Sequence, residues 1–156
     1  GGQRLAGLLV FSTDVVALTL PVAQGLVLTE AFYWDMNDET RAWSKRFTER
    51  NKGVIPTYIM AGTYSAVTHY LKAVQAAGTT DADKVMATMK STKVNDFYSK
   101  GQIRADGRMI HDMYLYQVKT PKESTKPWDY YKLRATIPAA QAFRPIDQGE
   151  CPLVKK

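Results

Sequence analysis

The sequence holds one cysteine and two histidines, and that scarcity removes several chemistries at once. Cys151 has no mate for a disulfide framework within the chain. His69, His111 and one thiol make no zinc set at any standard ligand spacing. No stretch approaches the roughly 18–20 consecutive apolar residues of a membrane helix, and the longest apolar run, residues 5–11, is the size of a strand. Gly-rich phosphate loops, the G-x-S-x-G elbow and the H-E-x-x-H helix are also missing. No motif therefore supports an enzyme, and neither a cofactor nor a metal is expected. No secretory or transit leader is visible, and the chain starts Gly1-Gly2 rather than with Met. That start is expected of a processed or truncated product, so the missing leader carries no information about compartment.

What is present is ordinary for a globular protein. A chain of 156 residues, 45% apolar and 23% charged, is long enough to bury a core as one domain. The formal charge of +6 raises nucleic acid as a partner. Between Arg41 and Lys52, however, the basic residues share a helix with Glu49 and follow Asp38 and Glu39, the pattern of a solvated face. The tail from Lys119 is more one-sidedly basic but carries no nucleic-acid module, so nucleic acid is not an expected partner. Cys151 sits in the polar turn Gly149-Glu150-Cys151-Pro152, an unsuitable core position, which points to a mate outside the chain.

The chain is organised around residues 26–38. Leu26-Val27-Leu28-Thr29 reads as an apolar strand, and it runs through Phe32-Tyr33-Trp34 into Asp35-Met36-Asn37-Asp38. Asn37 or Asp38 caps the next helix, with Glu39 favourable in its first turn. Three adjacent aromatics at such a junction need cover. Either they are core, or they form a crossover beside a ligand cleft.

Upstream, residues 8–11 (Leu-Leu-Val-Phe) read as a strand buried on both faces, ended by the capping residues Ser12-Thr13-Asp14. A helix over 15–24 with Pro21 inside it then leads back to the Leu26 strand, giving a compact crossover unit. Downstream, an amphipathic helix over 38–51 carries Trp43 and Phe47. Pro56 opens a longer helix to Ala77, with Met60, Tyr64, Val67, Leu71 and Val74 as its core stripe. Thr80 with Asp83 resembles a capping box for a third helix burying Val85, Met86 and Met89. Residues 102–119 read as a β-hairpin around Asp106-Gly107, with Met113 and Leu115 on the face opposite Tyr114 and Tyr116. From Thr120 the Pro-rich chain reads as an extended tail packed through Trp128, Tyr130, Tyr131 and Phe143.

Five pieces then stand in a distinctive order: a strand, polar turn and helix; Gly-Leu-Val-Leu-Thr-Glu-Ala-Phe-Tyr-Trp-Asp; a helix with Arg-Phe; Pro-Thr-Tyr-Ile-Met-Ala-Gly-Thr-Tyr-Ser-Ala-Val; and Gly-Gln-Ile-Arg-Ala-Asp-Gly-Arg ending in Met-Tyr-Leu-Tyr-Gln-Val-Lys. Together they resemble the C-terminal part of the leucine/isoleucine/valine-binding-protein type of ABC-transporter substrate-binding protein, the type I periplasmic binding proteins. The resemblance implies an α/β fold of three-layer lobes, present here as a C-terminal fragment: parallel strands with flanking helices plus a β-hairpin. It implies that residues 1–28 belong to a C-terminal lobe and 29–37 to a hinge crossover. Residues 38–119 would supplement an N-terminal lobe, and 120–156 would be a tail crossing back.

The implied function is binding a small amino acid, amide or aromatic acid in the cleft between two lobes. The implied partners are permease subunits of the inner membrane, and the implied place is the periplasm or a lipid anchor outside the cell. A receptor's ligand-sensing domain shares the fold and is the alternative. Carried over by position, Phe11, Ser12, Thr13 and Asp14 face the cleft, and Asp14 either receives a ligand's ammonium, caps a helix, or does both. Tyr58 and Met60 supply an apolar wall or ordinary core, and Phe32, Tyr33 and Trp34 line the hinge. Cys151 would pair with a cysteine in the remaining part of the protein. As uncovered edges, residues 8–11 and 26–28 would be buried in a dimer or exchanged between copies.

Overall fold

The computed structural model describes residues 2–152 and 154. In chain order its elements are β1 (Ala6–Gly7), α1 (Ser12–Leu18), α2 (Leu20–Ala23), β2 (Val27–Glu30), α3 (Asp38–Arg50), α4 (Tyr58–Ala77), α5 (Ala82–Ser91), β3 (Val94–Asn95), β4 (Lys100–Ile103), β5 (Met109–Ile110), β6 (Met113–Val118), β7 (Tyr131–Ile137) and α6 (Ala139–Ala142). The strands form one sheet in the order β1-β2-β6-β7 and a second in the order β3-β4-β5. The chain divides into two compact units, Gly1–Ala61 with Met113–Thr136, and Gly62–Asp112 with Ile137–Lys156.

In the first unit the parallel pair β1–β2 is joined through α1 and α2, the crossover read from the sequence. β2 also pairs antiparallel with β6, setting Leu28 opposite Tyr116. The alternation of Met-Tyr-Leu-Tyr-Gln-Val turns Tyr116 and Val118 inward, and they join Val15, Ala23, Leu28, Tyr33 and Tyr131 in one core cluster. Each fully buried apolar side chain of this kind contributes about 1.5–3 kcal/mol. α3 starts as expected: Asn37 Oδ1 accepts from Thr40 N at 2.9 Å, and Thr40 Oγ1 accepts from Asn37 N at 3.0 Å.

Several expectations are corrected here. Residues 8–11 are not a strand; β1 ends at Gly7, and Leu8 is 97% exposed. Val10 folds back onto the space a Gly7 side chain would occupy, so the chain turns after Gly7 instead of extending. Nor is Leu28 on an edge, since β2 lies between β1 and β6 and Leu28 is buried. The helix over 15–24 is broken at Thr19, whose φ of 69° no α-helix accommodates, and Pro21 sits in the first turn of α2, where its missing N–H is harmless.

In the second unit the large apolar stripe of α4 is not its core face. Tyr64, Val67 and Leu71 are exposed, while Ser65, His69 and Ala73, four residues apart, are buried. Small and polar residues win because they let neighbouring chain approach closely: Ser65 Oγ donates to Asp96 Oδ2 at 2.6 Å, and the Tyr98 hydroxyl lies only 3.2 Å from where a Gly62 Cβ would stand. α5 is capped by Asp81, whose Oδ1 accepts from Lys84 N at 3.1 Å, rather than by Thr80. Val85 is buried as expected, but Met86 is exposed.

The Asp-Gly hairpin is present as β4–β5, with Gly107 at φ 85°. Arg104 donates to Asp106 at 2.6 Å across the turn, and that hydrogen bond holds the Asp106 carboxyl down at about 2. The second arm is shorter than expected, because after His111-Asp112 the chain leaves the hairpin and β6 pairs with β2 instead. The tail also contains a strand, β7, that the proline count conceals. Cys151 is a half-buried free thiol.

The tail is fastened by one buried carboxylate. Asp129 is 3% exposed; its Oδ1 accepts from Lys119 Nζ at 2.5 Å and its Oδ2 from Thr125 N at 2.9 Å. Burial pushes its carboxyl up, but the bonds from Lys119 and Thr125 outweigh that, and it ends below the ordinary value. Asp129→Ala strands these donors and is expected to lower stability by about 3 kcal/mol. Urea denaturation reads this directly, and a change under about 0.5 kcal/mol contradicts the assignment.

Candidate functional site

Phe11, Ser12, Thr13, Asp14 and Tyr58 come from two short stretches of the first unit. Phe11 has extended backbone (φ −116°, ψ 165°) and is the N-cap of α1, so Ser12-Thr13-Asp14 form the first helical turn rather than the cap itself. Asp14 turns back so that its Oδ2 accepts from Phe11 N at 2.7 Å. The Phe11 ring packs on Tyr58, the first residue of α4, with centroids 5.2 Å apart. The structure therefore joins Phe11, Asp14 and Tyr58. It does not bring in the others equally: Ser12 is buried, Thr13 faces solvent, and Met60 is 37% exposed.

Sequence reasoning missed Glu30. It ends β2 on the same inward side as Leu28, is 3% exposed, and accepts from the Tyr131 hydroxyl at 3.2 Å. Burial, reinforced by the nearby Asp14 carboxylate, raises its carboxyl to about 8, so the group holds its proton at neutral pH. Burial and the Glu30 carboxyl push the Tyr131 hydroxyl well above its ordinary value, and the same two causes raise Tyr58. The available signal was a glutamate at an inward step of a period-two strand. Two carboxyl groups beside two aromatic rings can receive a ligand's nitrogen donor against an apolar wall.

Phe32, Tyr33 and Trp34 also lie inside the first unit, and two of the three hold the tail. Tyr33 Oη and Trp34 Nε1 both donate to the Trp128 carbonyl, at 2.7 and 2.9 Å, and Tyr33 Oη accepts from Tyr130 N at 3.0 Å. Lys126 caps the Trp34 ring at 5.0 Å while pairing with Asp35 at 2.7 Å. Phe32 is 1% exposed and packs edge-on against Trp43.

Among the described residues no group of three or more His, Cys, Asp or Glu could hold a metal ion, and no helix is long and apolar enough to cross a membrane. Residues 1–125 match the family model described as periplasmic binding protein. The chain belongs to that family and is similar to its type I members from ABC transporters. A periplasmic binding protein from Burkholderia mallei is 54% identical, with a TM-score of 0.94 over 98% of this chain and 40% of its own. A branched chain amino acid ABC transporter periplasmic ligand-binding protein from Burkholderia xenovorans is 42% identical, with a TM-score of 0.92 over 97% of this chain and 40% of its own. A solute binding protein of an ABC transporter from Rhodopseudomonas palustris, solved with 3,4-dihydroxy benzoic acid, shares the fold at 18% identity and a TM-score of 0.67, over 81% of this chain and 34% of its own. The chain thus spans about two-fifths of the length of the first two relatives. No curated protein matches it.

Proposed function

We propose that the chain is part of the extracytoplasmic solute-binding component of an ABC importer, which takes up a small amino acid, amide or aromatic acid and performs no reaction on it. The observation that carries this reading is the family match together with close likeness to two periplasmic binding proteins, one described as the ligand-binding protein of a branched chain amino acid ABC transporter. In this reading the working protein is periplasmic or lipid-anchored and delivers its ligand to permease subunits of the inner membrane. Residues 29–37 are a crossover between its lobes.

The side chains support a ligand with a nitrogen donor at one end and an apolar body. One Asp14 oxygen is engaged by the Phe11 N–H, leaving Oδ1 to accept a charge-assisted hydrogen bond. The Phe11 and Tyr58 rings supply the wall. In the full-length protein Asp14→Asn keeps the acceptor for Phe11 N but removes the charge. Its expected cost is about 1–3 kcal/mol of ligand binding with the fold intact. The experiment is calorimetric titration of both proteins with whichever amino acid, amide or aromatic acid raises the melting temperature. Equal affinities reduce Asp14 to a helix-terminal residue; no ligand from these classes defeats the functional reading itself.

A further inference from the structure

The second unit contains a cavity of about 310 Å³, lined mostly by apolar side chains that include Ala66, Met89, Val94 and Met109. His69 and His111 also line it, and both rings are more than nine-tenths buried, at 7% and 8% exposure. His69 Nε2 lies 3.0 Å from the Met89 carbonyl oxygen, and His111 Nδ1 lies 2.7 Å from the Asp112 carbonyl oxygen. A carbonyl oxygen only accepts, so each of these nitrogens carries the proton. Whenever a ring is neutral, its other nitrogen, Nδ1 of His69 or Nε2 of His111, is an acceptor, and the hydrogen bond already described is the one each ring makes among the described residues. Both imidazoles border one apolar chamber where a donor can reach them, and among the described residues the chamber's lining also holds a buried hydroxyl without a partner, Ser99 Oγ.

We propose that this cavity binds a small flat molecule with an apolar body and an N–H or O–H donor, at a site separate from Asp14. An apolar cavity of roughly 150 Å³ accepts benzene, so twice that volume suits two fused rings. The donor would satisfy one of the two imidazole nitrogens while the rings displace poorly held water from the walls. A metal fits less well, because the chamber is too wide and too apolar for its ligands to converge.

Indole and indene test this on the wild-type full chain, so no variant has to fold. The two have nearly the same shape, and only indole has an N–H. Indole is expected to bind with a Kd of about 1 mM or tighter, the range small ligands of its size reach. Its chemical-shift changes are expected at the His69 and His111 rings and at the Gly62 and Met109 amides. Indene is expected to bind at least about threefold more weakly, the loss of one net hydrogen bond. Three outcomes overturn the proposal: no saturation by indole, equal affinity for indene, or shifts confined to Asp14 and Phe11. The last places indole in the proposed transport-ligand site and leaves that separate reading standing.

Discussion

Raising the pH from about 5 to about 8 is expected to destabilise the protein, and Glu30→Gln is expected to remove most of that loss. In the unfolded chain the Glu30 carboxyl titrates at its ordinary 4.5; in the fold, burial raises it to about 8. Between those values the folded state holds a proton that the unfolded state has released. Stability on this group's account is therefore highest below about 4.5, falls through the window by about 1.4 kcal/mol per pH unit, and levels off above 8. The total is a few kcal/mol. Glutamine has the same shape, keeps an oxygen for the Tyr131 hydroxyl, and does not titrate. Melting temperatures of both proteins across this range give the answer, and parallel curves for wild type and variant rule it out.

Phe32→Ala is expected to lose about 3–5 kcal/mol, the range for emptying a buried aromatic site. Phe32 is 1% exposed, and its ring meets Trp43 edge-on at 5.8 Å, which in turn packs on Phe47 at 5.2 Å. The cavity left behind cannot collapse easily, because Trp43 is fixed in α3 and Phe32 itself follows directly on β2. Phe32→Leu fills most of the space and is expected to lose about 1.5 kcal/mol or less. Urea midpoints separate the two, and a loss under 1 kcal/mol for the alanine variant contradicts the packing role.

Much of this was legible in the residues, for identifiable reasons. Asn37 announces α3 because a cap acts over three residues, and Asp106-Gly107 announces its turn because only a few residues tolerate that backbone. Tyr116 and Val118 follow from strict alternation. What failed was anything decided by distant chain. Residues 8–11 look like a buried strand, but β1 has only β2 beside it. The apolar stripe on α4 outweighs Ser65 and His69 on any hydropathy scale. Yet the latter are buried, because Asp96 and the Met89 carbonyl, far along the sequence, receive their polar atoms. Asp14, Phe11 and Tyr58 were expected through the resemblance, and the structure sets them side by side. Glu30 was passed over because the strand was ended at Thr29; one step further, alternation with Leu28 turns it inward, where it meets the Tyr131 hydroxyl.

The departure of β6 from the hairpin also fixes a schedule for synthesis. β2 emerges from the ribosome before its antiparallel neighbour, which lies beyond the whole of Gly62–Asp112. At about 5–20 residues per second, Leu28 and Phe32 wait seconds for the strand that completes their sheet. During that wait the intervening stretch can already form α4, α5 and the β4–β5 hairpin from nearly local contacts. Folding is therefore nested: the inserted segment settles first, and its settling brings Met113 round to close a sheet begun much earlier. A slow codon run just after Asp112 would prolong the exposure of the half-built sheet, whereas one before Met60 would not.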